Sequence, residues 1–204
     1  MRSGARGYTA VEVLSAMTLF AIGAAGVIGM QKVTIQGGED ARRFDIANNI
    51  ANQWLNRLQR DSMRWTSPNP YNPNNSNLTT ETAWIKDVTT AGCNATYCNP
   101  VVPATNPEGF SPAFDIYGRD RPAGSGDHVY CVQYTLNWIA PLGNPPTFNP
   151  MALMRADVRV FWARLDRAPI GNCAAPPVDP NTAGAEAAYH FVYASTAIRE
   201  NTQR

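Results

Sequence analysis

The 204 residues, 44% hydrophobic and 16% charged, suffice for one domain of ordinary size with a sizeable core. Net charge is +1, and loss of the first seven residues with Arg2 and Arg6 takes it to −1. Bulk charge therefore excludes a polyelectrolyte that binds nucleic acid or anionic membrane non-specifically, leaving only local arginine clusters for such contacts.

The first element is an apolar run. The chain opens MRSGARG and continues YTAVEVLSAMTLFAIGAAGVIGMQ, with no charge from Val13 to Met30. The run is about 18 to 23 residues, long enough to span a bilayer as a helix. Arg2 and Arg6 precede it and Lys32 is the only basic residue close behind, so the positive-inside bias keeps the first residues cytoplasmic and sends the rest across. Glu12 lies inside the run, where a charge costs about 2.5 to 3.5 kcal/mol on insertion scales and needs a partner. A secretory signal would be cut after the apolar core, and Ala24-Ala25-Gly26 mimics such a site. A single Gly7 before an aromatic, with an acid at the fifth position from Tyr8, does not fit that pattern.

The stretch R-G-Y-T-A-V-E-V-L-S-A-M-T-L-F-A-I-G resembles the front end of type IV pilins and pseudopilins, through Arg6, Gly7, Tyr8, Thr9, Glu12 and the apolar residues behind them. The ending A-I-G-A-A-G-V-I-G-M-Q looks most like a minor pilin of the PilV type. The resemblance is specific over roughly the first 31 residues, with Tyr8 in place of the more usual phenylalanine and no proline between Met1 and Trp65. It implies cleavage between Gly7 and Tyr8 by a prepilin peptidase, N-methylation of Tyr8, and retention of the apolar helix. It further implies that Glu12 pairs with the freed amino terminus of a neighbouring subunit, with the Thr9 hydroxyl in the same cluster. An unpaired carboxylate in a shared apolar core is strongly penalised and a paired one tolerated. The implied partners are the peptidase, other minor and major pilins, the inner-membrane pilus assembly machinery and the membrane itself, crossed once. The implied head is periplasmic and then extracellular. The expected organisation is a leader over 1–7, a transmembrane and assembly half-helix over 8–31, and a globular head over 32–204.

Gly23, Gly26 and Gly29 recur every third residue on one slowly drifting helical face, allowing close helix approach in lipid while weakening the helix. After Gly37-Gly38, a site for a bend, EDARRFDIANNIANQWLNRLQRDSMRW is amphipathic. Phe44, Ala47, Ala51, Trp54, Leu55 and Leu58 form the apolar stripe, with Arg42, Arg43, Asn49, Asn56, Arg57 and Arg60 elsewhere. The helix is predicted to continue from the anchor and to stop before Ser67-Pro68.

A long connection from Thr66 to about Asp127 follows, starting PNPYNPNNSNLTT and holding short elements around Ala83–Val88 and Phe114–Tyr117. Glycosylation-type triplets begin at Asn74, Asn77 and Asn94, and carry no assigned role. Three strands come next. In HVYCVQYTLNWI, Tyr130, Val132, Tyr134, Leu136 and Trp138 alternate with Cys131, Gln133, Thr135 and Asn137. In LMRADVRVFWARL, Ala156, Val158, Val160 and Trp162 oppose Arg155, Asp157 and Arg159. In AAYHFVYASTAI, either Tyr189, Phe191 and Tyr193 or Val192, Ala194 and Ile198 face inward. The expected fold is α+β and pilin-like, a long N-terminal α-helix packed against an antiparallel β-sheet.

Four cysteines in an exported chain read as two disulfides, with three pairings open. One of the three closes the short loop between Cys93 and Cys98 and joins Cys131, on the polar side of its strand, to Cys173. One C-x4-C with no paired histidines fits closed zinc sites poorly, so neither metal nor cofactor is expected. No catalytic constellation stands out. Ala123-Gly124-Ser125-Gly126 lacks the nucleophile-elbow pattern, His128 and His190 are isolated, and Asp179, Asn181 and Glu186 do not reproduce a calcium loop. Arg119, Arg121, Arg155 and Arg159 interleave with Asp120 and Asp157, an ordinary charged face before a nucleic-acid surface. The function expected is structural, a minor pilin that initiates or tips a type IV pilus. The alternatives are a type II secretion pseudopilin, a pilus-borne adhesin or DNA-binding subunit, and a membrane-anchored enzyme.

Overall fold

The computed structural model describes residues 9–66, 76–89, 93, 96–101, 110–122, 124–140, 153–164 and 167–201. The chain forms two compact units, Met1–Arg43 and Phe44–Arg204. Helix α1 (Ala10–Ser62) contributes to both.

In the first unit, α1 is helical through Gly37 and Gly38, and its apolar side chains are exposed: Val11, Leu19, Phe20 and Ile22 each keep more than two thirds of their surface open. Arg43 Nη2 donates to Glu39 Oε1 at 2.8 Å, an i,i+4 pair that supports the helix by a few tenths of a kcal/mol.

In the second unit, the remaining residues of α1 bury one stripe. Ala47, Ile50, Ala51, Trp54, Leu55 and Leu58 enter the main core, as the 3.6-residue spacing predicts. Phe44 remains 42% exposed and rests edge-on against Trp162, centroids 5.0 Å apart. Arg57, expected among the solvated residues, is buried: it spans the rings of Trp54 (4.8 Å) and Phe110 (5.5 Å) and pairs with Asp120 at 2.7 Å. Its stem and planar head pack among aromatics only because a carboxylate neutralises it.

The connection holds the predicted short elements and more. Helix α2 (Leu78–Glu81) and a 3₁₀ turn (Ile85–Thr89) follow the helix end. Buried Asp61 accepts hydrogen bonds from the backbone N–H groups of Ala83, Trp84 and Ile85 at 2.8–3.1 Å. Those donors have no intrahelical partner, and one carboxylate satisfies all three. Asn77 closes the other side, its Oδ1 accepting from Thr66 N and its Nδ2 donating to Arg64 O.

Five strands, β1 (Ala113–Phe114), β2 (Asp120–Arg121), β3 (Tyr130–Ala140), β4 (Leu153–Ala163) and β5 (Tyr189–Arg199), form one sheet in the order β2-β1-β3-β4-β5. Every pairing is antiparallel. Between β1 and β2, Gly118 turns at φ +77, a conformation that L side chains rarely adopt, and a Cβ there would meet Ile46 Cγ2 at 3.2 Å. The fold is α+β. Tyr130, Val132, Tyr134 and Leu136 of β3 and Ala156, Val158, Val160 and Trp162 of β4 join α1 in the main core, as their alternation predicts. On β5 the two expected registers are shared: Ile198 is in that core with Val192 and Ala194 against it, whereas Tyr189 and Phe191 belong to the opposite face and Tyr193 is 59% exposed.

That opposite face departs from expectation. Cys131, expected on a polar side, is fully buried in a second cluster with Ala113, Phe161, Ile170, Cys173 and Tyr189. Gln133 and Thr135 are buried too. Period-two alternation reports which residues share a face, but not whether the second face is covered, and here chain around Tyr97 and 170–189 covers part of it. Disulfides join Cys93 to Cys98 and Cys131 to Cys173.

Candidate functional site

The α1 N-terminus is built from four residues of sequence, T-A-V-E. Thr9 Oγ1 accepts from Glu12 N at 3.3 Å, while Glu12 Oε2 accepts from Thr9 N and from Thr9 Oγ1, both at 3.2 Å. This reciprocal capping box satisfies two of the amide donors that a helix start leaves open, and places the acid where the helix dipole favours negative charge. The T-x-x-E spacing is its sequence signature. Glu12 Oε1 takes no hydrogen bond from the described residues. Glu12 borders an open apolar hollow with Val13, Ala16, Met17 and Phe20. Gly7 and Tyr8, the expected cleavage and methylation positions, lie outside the described residues.

Behind this end, α1 is long and apolar enough to cross a membrane by length and composition. Ser15 and Thr18 hydroxyls turn back to the carbonyls of Glu12 and Ser15, leaving no polar group of theirs unpaired along the run. A Cβ added at Gly23, Gly26 or Gly29 meets nothing within 4 Å, so no packing inside the chain requires glycine there.

The other candidates resolve into structural roles. His128 is buried with neither ring nitrogen hydrogen-bonded among the described residues, and burial pulls its pKa below 6.5 against the opposing pull of Asp127. It lies beside Cys131 and Cys173, and Asp87 lies beside Cys93 and Cys98, but all four sulfurs are in disulfides and offer no thiolate to a metal. His190 stacks on Trp162 at 5.3 Å. Asn181 Oδ1 accepts from Arg159 at 2.8 Å, and a guanidinium at that loop opposes a cation. Asp179 forms an Asx turn to Asn181 N at 2.8 Å.

The arginines divide. Arg121 pairs with Asp115 at 3.3 Å, Arg119 lies over Tyr117 at 5.5 Å, and Arg155 pairs with Asp157 at 2.7 Å. Arg159, expected on an exposed face, is 4% exposed: its guanidinium stacks 4.1 Å over Tyr97 and donates to Gln133 Oε1, Asn181 Oδ1 and Pro180 O. Burial lowers its pKa, with Tyr193 and Tyr97 opposing. No pattern in R-A-D-V-R distinguishes Arg155 from Arg159; the covering residues come from elsewhere in the chain. Comparisons with protein-family models, curated proteins and solved structures gave no match.

Proposed function

We propose that this chain is a minor pilin, anchored by the apolar half of α1 and incorporated into a type IV pilus after cleavage between Gly7 and Tyr8. The observation that carries this reading is Glu12: one acid at the start of an exposed apolar helix, held by Thr9 through one oxygen while the other takes no hydrogen bond from the described residues. In an assembled fibre the second oxygen would receive the amino group of Tyr8 from a neighbouring subunit, exchanging a solvated or headgroup-facing charge for a neutral pair in the apolar core. The Thr9 hydroxyl aims the carboxylate and the glycines at 23, 26 and 29 admit neighbouring helices closely. The head, α+β and closed by two disulfides, suits an oxidising compartment on the far side of the membrane.

Two measurements test this. Mass spectrometry of the protein from its native membrane should show an N-terminus at methylated Tyr8. Glu12→Gln should insert into the membrane at the normal level yet enter filaments at least about tenfold less, as expected when one member of an apolar charge pair is neutralised. A retained leader, or filament entry at the normal level, would overturn the reading.

A further inference from the structure

We propose that the Cys93–Cys98 disulfide is a reducible latch that closes the free edge of β3, whereas Cys131–Cys173 is a permanent staple. The inference concerns the head alone and does not rest on the pilin reading.

The two bonds sit in opposite surroundings. Cys131 and Cys173 are both fully buried in the second cluster, and their bond encloses 42 residues of sequence separation. Cys98 is partly exposed, its partner Cys93 is buried, and their separation is only 5. Thiol exchange needs a thiolate to reach a sulfur, so a dithiol reductant meets Cys98 and not the staple.

The short loop also has a mechanical task. β1 covers β3 only at Tyr130 and Cys131. Farther along, the same β3 edge is closed by the two cysteines themselves: Cys98 N donates to Tyr134 O at 2.9 Å, Tyr134 N to Cys98 O at 3.0 Å, and Leu136 N to Cys93 O at 3.0 Å. Thr135 Oγ1 donates to the same Cys93 carbonyl at 3.1 Å. Two residues thus stand in for a strand, with the covalent bond fixing their spacing along β3. Beneath them, the Tyr134 hydroxyl donates to buried Asp87 at 2.5 Å, and one Asp87 oxygen lies within 4.8 Å of both sulfurs.

Opening follows ordinary exchange. A thiolate of the dithiol attacks Cys98 Sγ, forming a mixed disulfide and expelling Cys93 as a thiolate. The second thiol of the reductant then displaces Cys98. The reductant becomes a disulfide, and the two cysteines receive two electrons and, from solvent, two protons. Without the bond, the backbone groups of Tyr134 and Leu136 lose their fixed partners and the β3 edge opens to solvent or to an incoming strand.

The test uses the full chain in detergent micelles, without denaturant. Dithiothreitol is added, thiols are trapped by alkylation, and backbone hydrogen exchange is followed on β3. Cys93 and Cys98 should be alkylated at least about a hundredfold faster than Cys131 and Cys173, reflecting access. Exchange at the Tyr134 and Leu136 amides should rise at least about tenfold, while Val132, bonded to Pro112 O, keeps its rate. The Cys93→Ser/Cys98→Ser double variant should show the same local rise with no reductant. Equal reduction of both bonds, unchanged exchange at Tyr134 and Leu136 in the double variant, or loss of protection throughout β3 would each overturn the latch.

Discussion

The two parts of α1 use their apolar residues in opposite ways. Over residues 10–35 the large side chains stand open: Phe20 is 79% exposed and Leu19 71%. Over residues 44–62 the apolar residues are confined to one stripe, and Trp54 and Leu58 are fully buried. Apolar surface is expelled from water in both, and in the second part side chains of its own unit are shaped to receive it. The lesson is that hydropathy marks a demand for burial, while periodicity tells who meets it: a stripe is answered by a sheet, and an all-round apolar run calls for lipid or other helices.

The largest effect that should separate the two parts is Trp54→Ala. Trp54 contacts Trp84 and Tyr134 at ring distances of 5.7 and 6.3 Å, and its loss should destabilise the head by about 3–5 kcal/mol in chemical denaturation. Phe20→Ala removes a ring that is 79% exposed and should leave that transition within about 0.5 kcal/mol. A comparable loss from both would break the comparison.

Next in size is the staple. Replacing Cys131 and Cys173 together by alanine should cost the head about 4 kcal/mol, the loop-entropy expectation for such a separation, seen as a lower denaturation midpoint. The apolar half-helix has no covalent constraint to lose, so its helicity in micelles by circular dichroism should not change.

The smallest effect is a pH slope. Burial lowers the folded pKa of His128 below 6.5, so the unfolded chain binds the extra proton first. Stability should therefore fall as pH drops below about 6.5, by at most about 1.4 kcal/mol per pH unit for one proton, and level off below the folded pKa. Asp87 and Asp120, raised by burial, act in the opposite sense nearer the carboxylate range, where acid relieves them. His128→Leu should flatten the slope above pH 5 in a thermal-melt series. The 13–31 stretch has no ionisable side chain, so it should contribute nothing to the slope.

How much could be read in advance varies with the kind of signal. The stripe from Ala47 to Leu58, the inward faces of β3 and β4, and the short elements near Ala83 and Phe114 follow from local spacing, because periodicity is a property of neighbouring residues. The same holds for the Thr9–Glu12 box, whose two members are three residues apart. Arg57 and Arg159 stand in amphipathic patterns, where an arginine is usually solvated. Each is buried by residues distant in sequence: Asp120 and Phe110 for the first, Tyr97, Gln133 and Asn181 for the second. Nothing near either arginine announces those partners.

By itself, the sequence determined that the chain has an apolar helix able to cross a membrane, a mixed α+β head and an acid at the helix start, since each is encoded within a few turns or one strand. Only the tertiary structure decided that the sheet is covered in part on its second face, that Cys131 lies in a core, and that Cys93 and Cys98 complete the edge of β3. The physical reason is that burial and edge pairing are supplied by remote segments, and the free energy of bringing them together is not written in any local pattern.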